Sequence, residues 1–333
     1  MTLVRPNARI TVDSQSLTAA ESGLVRLRVC LSVGEAHDRA ELFFWPSSKF
    51  AGAKAGATFT LALGPAGAEV DVLTGVVDAA RTSADAVVLE AMAGSIVLSR
   101  TFAGQTFLEM TVADIVTQLA SEAGVDTDEV SCDIAFPAYT IDPRRSVWSH
   151  LNDLARLAGA DLSVTAEGAL RFVIAGGEGG GLGAAAGAAG ALGLGSGGLR
   201  HGANVLSWQT GSGAVAIAAA VAAHGAASEA GAAKWHWLLK EPSFAGDGPP
   251  RIAGSLRTRD AADAVQAAGA ARAGRARLNG MIRIVGDAAI RPGDMTAVSD
   301  LPSGDPGQLH VLAVEHVLDG FEGFTTTLTV EAA

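Results

Sequence analysis

Two stretches with the same grammar decide how this chain is read: TVADIVTQLASEAGVD, residues 111–126, and SVWSHLNDLARLAGAD, residues 146–161. In the first, Val112, Ile115, Val116, Leu119 and Ala123 recur at the three- and four-residue spacing of one helix face. Thr111 stands where an N-cap hydroxyl belongs, Asp114 follows as a capping-box acid, and Gly124 supplies the stop. In the second, Val147, Leu151, Leu154 and Ala158 form the stripe with Trp148 beside it, Ser146 caps the start and Gly159 the end. The copies share the cap hydroxyl, the following Val, Leu-Ala, Ala-Gly and the closing Asp. Two copies are too few for a solenoid. The pattern predicts two helix-plus-extended units packed together. The second unit continues into an extended Asp161–Val164, a turn at Glu167-Gly168 and a strand over Ala169–Ile174.

Before this pair the chain reads as β. Ala8–Asp13, Leu24–Val33, Ala40–Trp45 and Thr58–Leu63 are short apolar or β-branched runs, and Val70–Asp78 with Ala86–Met92 forms a hairpin pattern. Gly, Pro, Ser or Asp break each run, as in a small antiparallel barrel or sandwich. After the pair, residues 176–202 are a low-complexity Gly/Ala/Leu tract that reads as an inserted loop of high chain entropy. Asn204–Gln209 has strand character, Ala214–Ala223 fits a strand or a short helix, and Glu241–Pro250 is loop-like. Asp260–Leu278 reads as a helix. It carries Asp260 and Asp263 at its start, Arg272, Arg275 and Arg277 at its end, and Gly280 just beyond, the charge order a helix dipole favours. The chain then returns to β over Met281–Val285, Met295–Ser299, Leu309–Leu318 and Phe324–Val330. A turn is expected at Arg291-Pro292-Gly293-Asp294 and a hairpin around Asp319-Gly320.

Composition narrows the function. The chain has 333 residues, 49% of them hydrophobic but only 5% aromatic, with 41 glycines and a formal charge of −11. Such a balance is unsuited to gripping a nucleic-acid backbone, and the scarcity of aromatics is unsuited to stacking platforms for sugars. Cys30 and Cys132 are too few and too far apart for a disulfide framework or a thiolate zinc site, and read as small buried side chains. The N-terminal residues carry Arg5, Arg9 and Asp13 with no apolar run, so no signal peptide is expected. The long uncharged run 179–199 is mostly Gly and Ala, so no membrane insertion is expected either.

Candidate chemistry is sparse. Gly181-Leu182-Gly183-Ala184-Ala185-Ala186 matches a dinucleotide fingerprint only in letters: it lies inside the Gly tract, and no acid follows before Glu229. The seven histidines show no metal-ligand spacing. No Ser sits in a nucleophile elbow. Asp126, Asp128 and Glu129 read as a solvated loop. No catalytic residue, metal or cofactor is therefore expected. The one charge contrast is the run Arg251–Arg291, with eight arginines against three acids, following an acidic first half. Arg251, Arg257, Arg259, Arg272, Arg275 and Arg277 are the candidate contacts with a partner or second subunit.

The segment from Thr111 resembles the T-x-x-D-I-x-x-x-I-A-x-x-x-G stretch of the phage late-control D proteins, hubs of contractile tails related to the hub portion of VgrG spikes. The segment from Asp142 through Phe172 resembles that family's helix block and following hairpin. GDAAIRPGDM from Gly286 and VLAVEHVLD from Val311 resemble its C-terminal blocks. The resemblance covers about residues 1–175 and 250–333. It implies a β-rich α+β fold in which N- and C-terminal antiparallel β-barrels flank a central α+β region. The corresponding division is 1–98, 99–175, 176–250 and 251–333. It further implies a homotrimer whose six barrels make a pseudo-sixfold ring. The implied partners are a separate spike protein, an inner tube or tube-initiator protein, and baseplate wedge proteins. Synthesis in the cytoplasm and incorporation into a tail or injection particle would follow. The rival readings are a tail-tip enzyme that degrades cell wall and a surface or receptor-binding module, for which Trp235 and Trp237 would form a small patch.

Overall fold

The computed structural model describes residues 5–34, 36–175, 198–212, 223–228, 235–238, 251–252 and 258–333. The first region is a curled antiparallel sheet of seven strands: β1 (Pro6–Val12), β2 (Gln15–Thr18), β3 (Leu24–Ser32), β4 (Arg39–Phe44), β5 (Thr58–Pro65), β6 (Val70–Thr82) and β7 (Val87–Ala93). A one-turn helix, α1 (Ala19–Ser22), joins β2 to β3 under a capping box of Thr18 and Glu21. Period-two alternation sets the faces. In β4, Ala40, Leu42 and Phe44 point to the core while Arg39, Glu41 and Phe43 point away. Gly75 is dictated by crowding: a Cβ there would collide with the Met92 carbonyl and lie 2.8 Å from Ala93 backbone.

The central region opens with α2 (Ile96–Arg100), followed by β8 (Thr106–Thr111), α3 (Val112–Glu122), β9 (Thr127–Val130), β10 (Ala135–Thr140), α4 (Val147–Ala158), β11 (Ala160–Val164) and β12 (Leu170–Ile174). The two helices sit as the caps dictate. Thr111 accepts from the Asp114 amide while the Asp114 carboxylate accepts from the Thr111 amide, and Ser146 accepts from the Ser149 amide. Gly159 ends α4 in the left-handed conformation. β8 pairs antiparallel with β10, so each helix follows a strand of one ribbon. Asp128 and Glu129, expected on a loop, instead belong to β9, which pairs parallel with β12 and places both acids against Arg171.

The last region comprises β13 (Leu199–Arg200), β14 (Val205–Ser212), β15 (Ala223–Ser228), β16 (Trp235–Leu238), β17 (Arg251–Ile252), α5 (Arg259–Arg275), β18 (Leu278–Val285), β19 (Met295–Ser299), β20 (Gln308–Asp319) and β21 (Gly323–Ala332). The RPGD turn forms as expected, with the Asp294 amide donating to the Arg291 carbonyl and Gly293 at φ 90°. The β20–β21 hairpin turns on Asp319, whose Oδ1 accepts from the Phe321 and Glu322 amides. The helix ends three residues before the expected Leu278. Gly280 is not its stop but part of β18, where a Cβ would lie 2.7 Å from the Gln209 carbonyl oxygen of neighbouring β14. Most of the Gly tract, the Ala214–Ala222 run and the Glu241–Pro250 loop lie outside the described residues.

The two β regions do not remain separate sheets. β3 pairs antiparallel with β20, from Ala313 opposite Ser32 to Asp319 opposite Arg26, giving the order β14-β18-β21-β20-β3-β4-β7-β6-β5-β1-β2. One apolar core runs beneath both, from Ile10, Leu42 and Leu61 to Ile282, Leu309 and Leu328. A second core belongs to the central region, with Ile115, Leu119, Leu151, Leu154 and Phe172. Ala261 and Val265 of α5 join that second core, so the helix packs on α4 of the central region while its end reaches β21 of the β region that follows it. The approach is close: a Cβ on Gly159 would lie 2.9 Å from the Ala268 methyl.

Candidate functional site: the joints and the free surfaces

Three polar joints lock the regions together, each assembled from residues far apart in the chain. At the first, β3 meets β20, and Arg28 donates to Glu315 at 2.7 Å on the outward face. At the second, the Arg291 guanidinium, presented by the RPGD turn, donates to the Val72 carbonyl at 2.6 Å and to the Asp71 carbonyl. Burial lowers its pKa against the pull of Asp38 and other carboxylates. Asp38 itself is buried and accepts from the Ser32 amide at 2.8 Å; burial pushes its carboxyl up to about 7.

The third joint carries the most charge. His310 of β20 is 1% exposed, with Nε2 2.7 Å from an Asp161 oxygen on β11 and Nδ1 3.1 Å from a Glu331 oxygen on β21. Arg275, at the end of α5, donates from Nε to the same Glu331 oxygen at 3.0 Å. Burial alone would lower the His310 pKa, but the two carboxylates outweigh it and raise it to about 9. Both ring nitrogens therefore donate at neutral pH. The cluster ties the central region, α5 and the last hairpin into one unit.

Besides these three joints, His37 contacts the central region. Its Nδ1 lies 3.0 Å from Ser95 Oγ and its Nε2 2.6 Å from Ser99 Oγ, while its ring lies on Trp148 at 4.2 Å. Ser99 and His37 have the spacing of a nucleophile and its base, yet the far nitrogen faces a hydroxyl rather than a carboxylate that would hold an imidazolium. Burial pushes His37 down to about 4. Among the described residues no group of three His, Cys, Asp or Glu side chains is arranged so that it could hold a metal ion, and no helix is long and apolar enough to cross a membrane.

Of the predicted arginines, the three whose side chains are described stand in different surroundings. Arg272 reaches the Ala155 carbonyl on α4 at 3.5 Å, Arg275 is buried in the charged joint, and Arg277 is exposed beyond the helix end. The Arg275 charge is matched inside the chain, which the sequence did not signal because Glu331 lies 56 residues away. Arg257 and the side chains of Arg251 and Arg259 lie outside the described residues, as do the side chains of Trp235 and Trp237 and the fingerprint at 181–186.

Among the described residues, one end of the joined sheet and its edges carry no covering element. The central region covers the end where β3 finishes, and the Gly34 amide donates there to the Leu162 carbonyl at 2.8 Å. The opposite end carries Val25, Trp45, Val285 and Phe321, the last fully exposed at the hairpin tip. β14 and β2 close the path of strands at either end.

No protein-family model matches this sequence, and no curated protein matches it. Solved structures do share the fold. The 43 kDa tail protein of prophage MuSo2 from Shewanella oneidensis is 13% identical, with a TM-score of 0.67 and 98% of each chain covered. A tail protein from Neisseria meningitidis MC58 is 14% identical, with a TM-score of 0.69 over 98% of this chain and 96% of that one. The E. coli c3393 protein is a component of the type VI secretion system, similar in structure to the T4 tail proteins gp27 and gp5. It is 12% identical, with a TM-score of 0.60 over 97% and 74%. At these identities the likeness is one of fold, and the fold is that of phage tail proteins.

Proposed function

We propose that this chain is a structural hub of a contractile phage tail or a phage-tail-like injection system. In this reading it forms a homotrimeric ring that joins a hexameric inner tube to a trimeric spike. The observation that carries the reading is the β3–β20 joint, which fuses two β regions edge to edge into one sheet over one core. A chain with two such regions, taken three times, presents six to a partner of sixfold symmetry while keeping threefold symmetry toward a spike. The same edge-to-edge contact, repeated between β14 or β2 and a neighbouring copy, closes the ring. Tail-type fold in the three solved proteins supports it.

The role is mechanical, with no reaction assigned. The partners are two further copies, a spike protein, an inner tube or tube-initiator protein and baseplate wedge proteins. The chain is made in the cytoplasm and ends in the particle. Among the candidate arginines with described side chains, Arg277 is an exposed one and faces a partner; Arg251, Arg257 and Arg259 remain candidates with it. The test is the mass in solution of the purified chain, alone and with the neighbouring spike gene product, followed by class averages. A three-chain particle with threefold averages is expected. A monomer under both conditions overturns the ring.

A further inference from the structure

Helix α5 has a second apolar stripe that its packing on α4 does not use. Ala264, Ala267 and Ala271 continue from Asp260 at helical spacing and line a groove of about 980 Å³. Ile134 and Phe136 form the facing wall. Three acids, Glu109, Asp133 and Asp260, line this groove, and among the described residues no basic side chain does. All three are exposed, and none forms an ion pair among the described residues. Methyl side chains on one wall allow a visiting backbone to come close, as in helix-in-groove recognition. The volume, near the top of the range for ligand pockets, holds several side chains rather than a domain.

We propose that this groove docks a segment of a partner protein made of small apolar residues flanked by Lys or Arg. The charge decides between occupants. The chain's own run 179–199 is apolar and small but carries no charge, so it would leave the three acids unmatched. A basic flank matches them and relieves their mutual repulsion. The proposal does not rest on the trimeric ring, because a single chain contains the whole groove.

The probe is a fluorescent Ala/Leu-rich helical peptide of about 16 residues with a Lys pair at one end, titrated into the full chain. Its counterpart carries Glu in place of Lys. The Lys peptide binds, weakens with added salt, and loses about tenfold affinity or more in the double variant Asp133→Lys/Asp260→Lys. Ala267→Phe, an exposed position, fills the groove and abolishes binding while the thermal melt stays unchanged. Equal binding of the two peptides, unchanged affinity in the double variant, or no Lys-peptide binding at millimolar concentration overturns the proposal. So does binding only in a chain lacking residues 176–197, which would make the chain's own tract the occupant. Self-association abolished by Ala267→Phe would assign the groove to a second copy and overturn it as well.

Discussion

His310 and His316 lie on the same strand and respond to acid in opposite senses. His310 has a folded pKa of about 9 against an ordinary 6.5, so its contribution is complete below pH 6.5 and is lost as pH rises through 9. The shift is worth on the order of 3 kcal/mol. Thermal melts of the wild-type chain should therefore decline between pH 6.5 and 9, and His310→Gln should remove most of that slope. His316 is fully buried, its Nδ1 bonded to Thr326 Oγ1 at 2.9 Å and its Nε2 without a partner. Burial, aided by Arg291, pushes it down to about 3. Its contribution is present above pH 6.5 and falls as the pH drops toward 3, because the unfolded chain takes up the proton first. His316→Gln should flatten the acid limb of the same melts and leave the alkaline limb alone. If each variant flattened the other's limb, both assignments would be wrong.

At the scale of elements, the caps and the crowded glycines make separate predictions. Thr111→Ala removes one half of a reciprocal capping pair and should cost about 1 kcal/mol in urea denaturation. Gly75→Ala forces a Cβ into the backbone of β7 and should cost about 1–3 kcal/mol. Much of this level was legible, because a cap, a stripe and a turn are written within a few residues of one another. Thr111, Ser146, Gly159 and the RPGD turn landed where their chemistry put them. Gly280 did not: a glycine after an arginine-ended helix looks like a stop, and only the partner strand β14 reveals the close approach it serves. β8 and β10 were missed because a two-stranded ribbon interrupted by Pro137 has little alternation to read. Arg275 was legible as charge but not as geometry, since Glu331 reaches it from a distant part of the chain.

For the whole molecule, the shared core makes the two β regions one cooperative unit. Calorimetry should show a single transition for both, and hydrogen exchange should protect β3 and β20 to the same degree. Val29→Pro, which removes a ladder donor and clashes within β3, should loosen both regions together rather than the first alone. Separate exchange behaviour of the two would contradict a common core. None of this long-range pairing had a local signature in the sequence: Arg28 and Glu315 are 287 residues apart.

That separation also sets a clock. During synthesis, β3 leaves the ribosome long before the strand that will cover its edge has been made. At typical rates of about 5–20 residues per second, the interval is roughly 15–60 s. Throughout it the nascent chain offers a bare row of backbone donors and acceptors, backed by Leu27, Val29 and Leu31, to any other nascent chain nearby. Truncation before β20 should therefore yield aggregates rather than a soluble half.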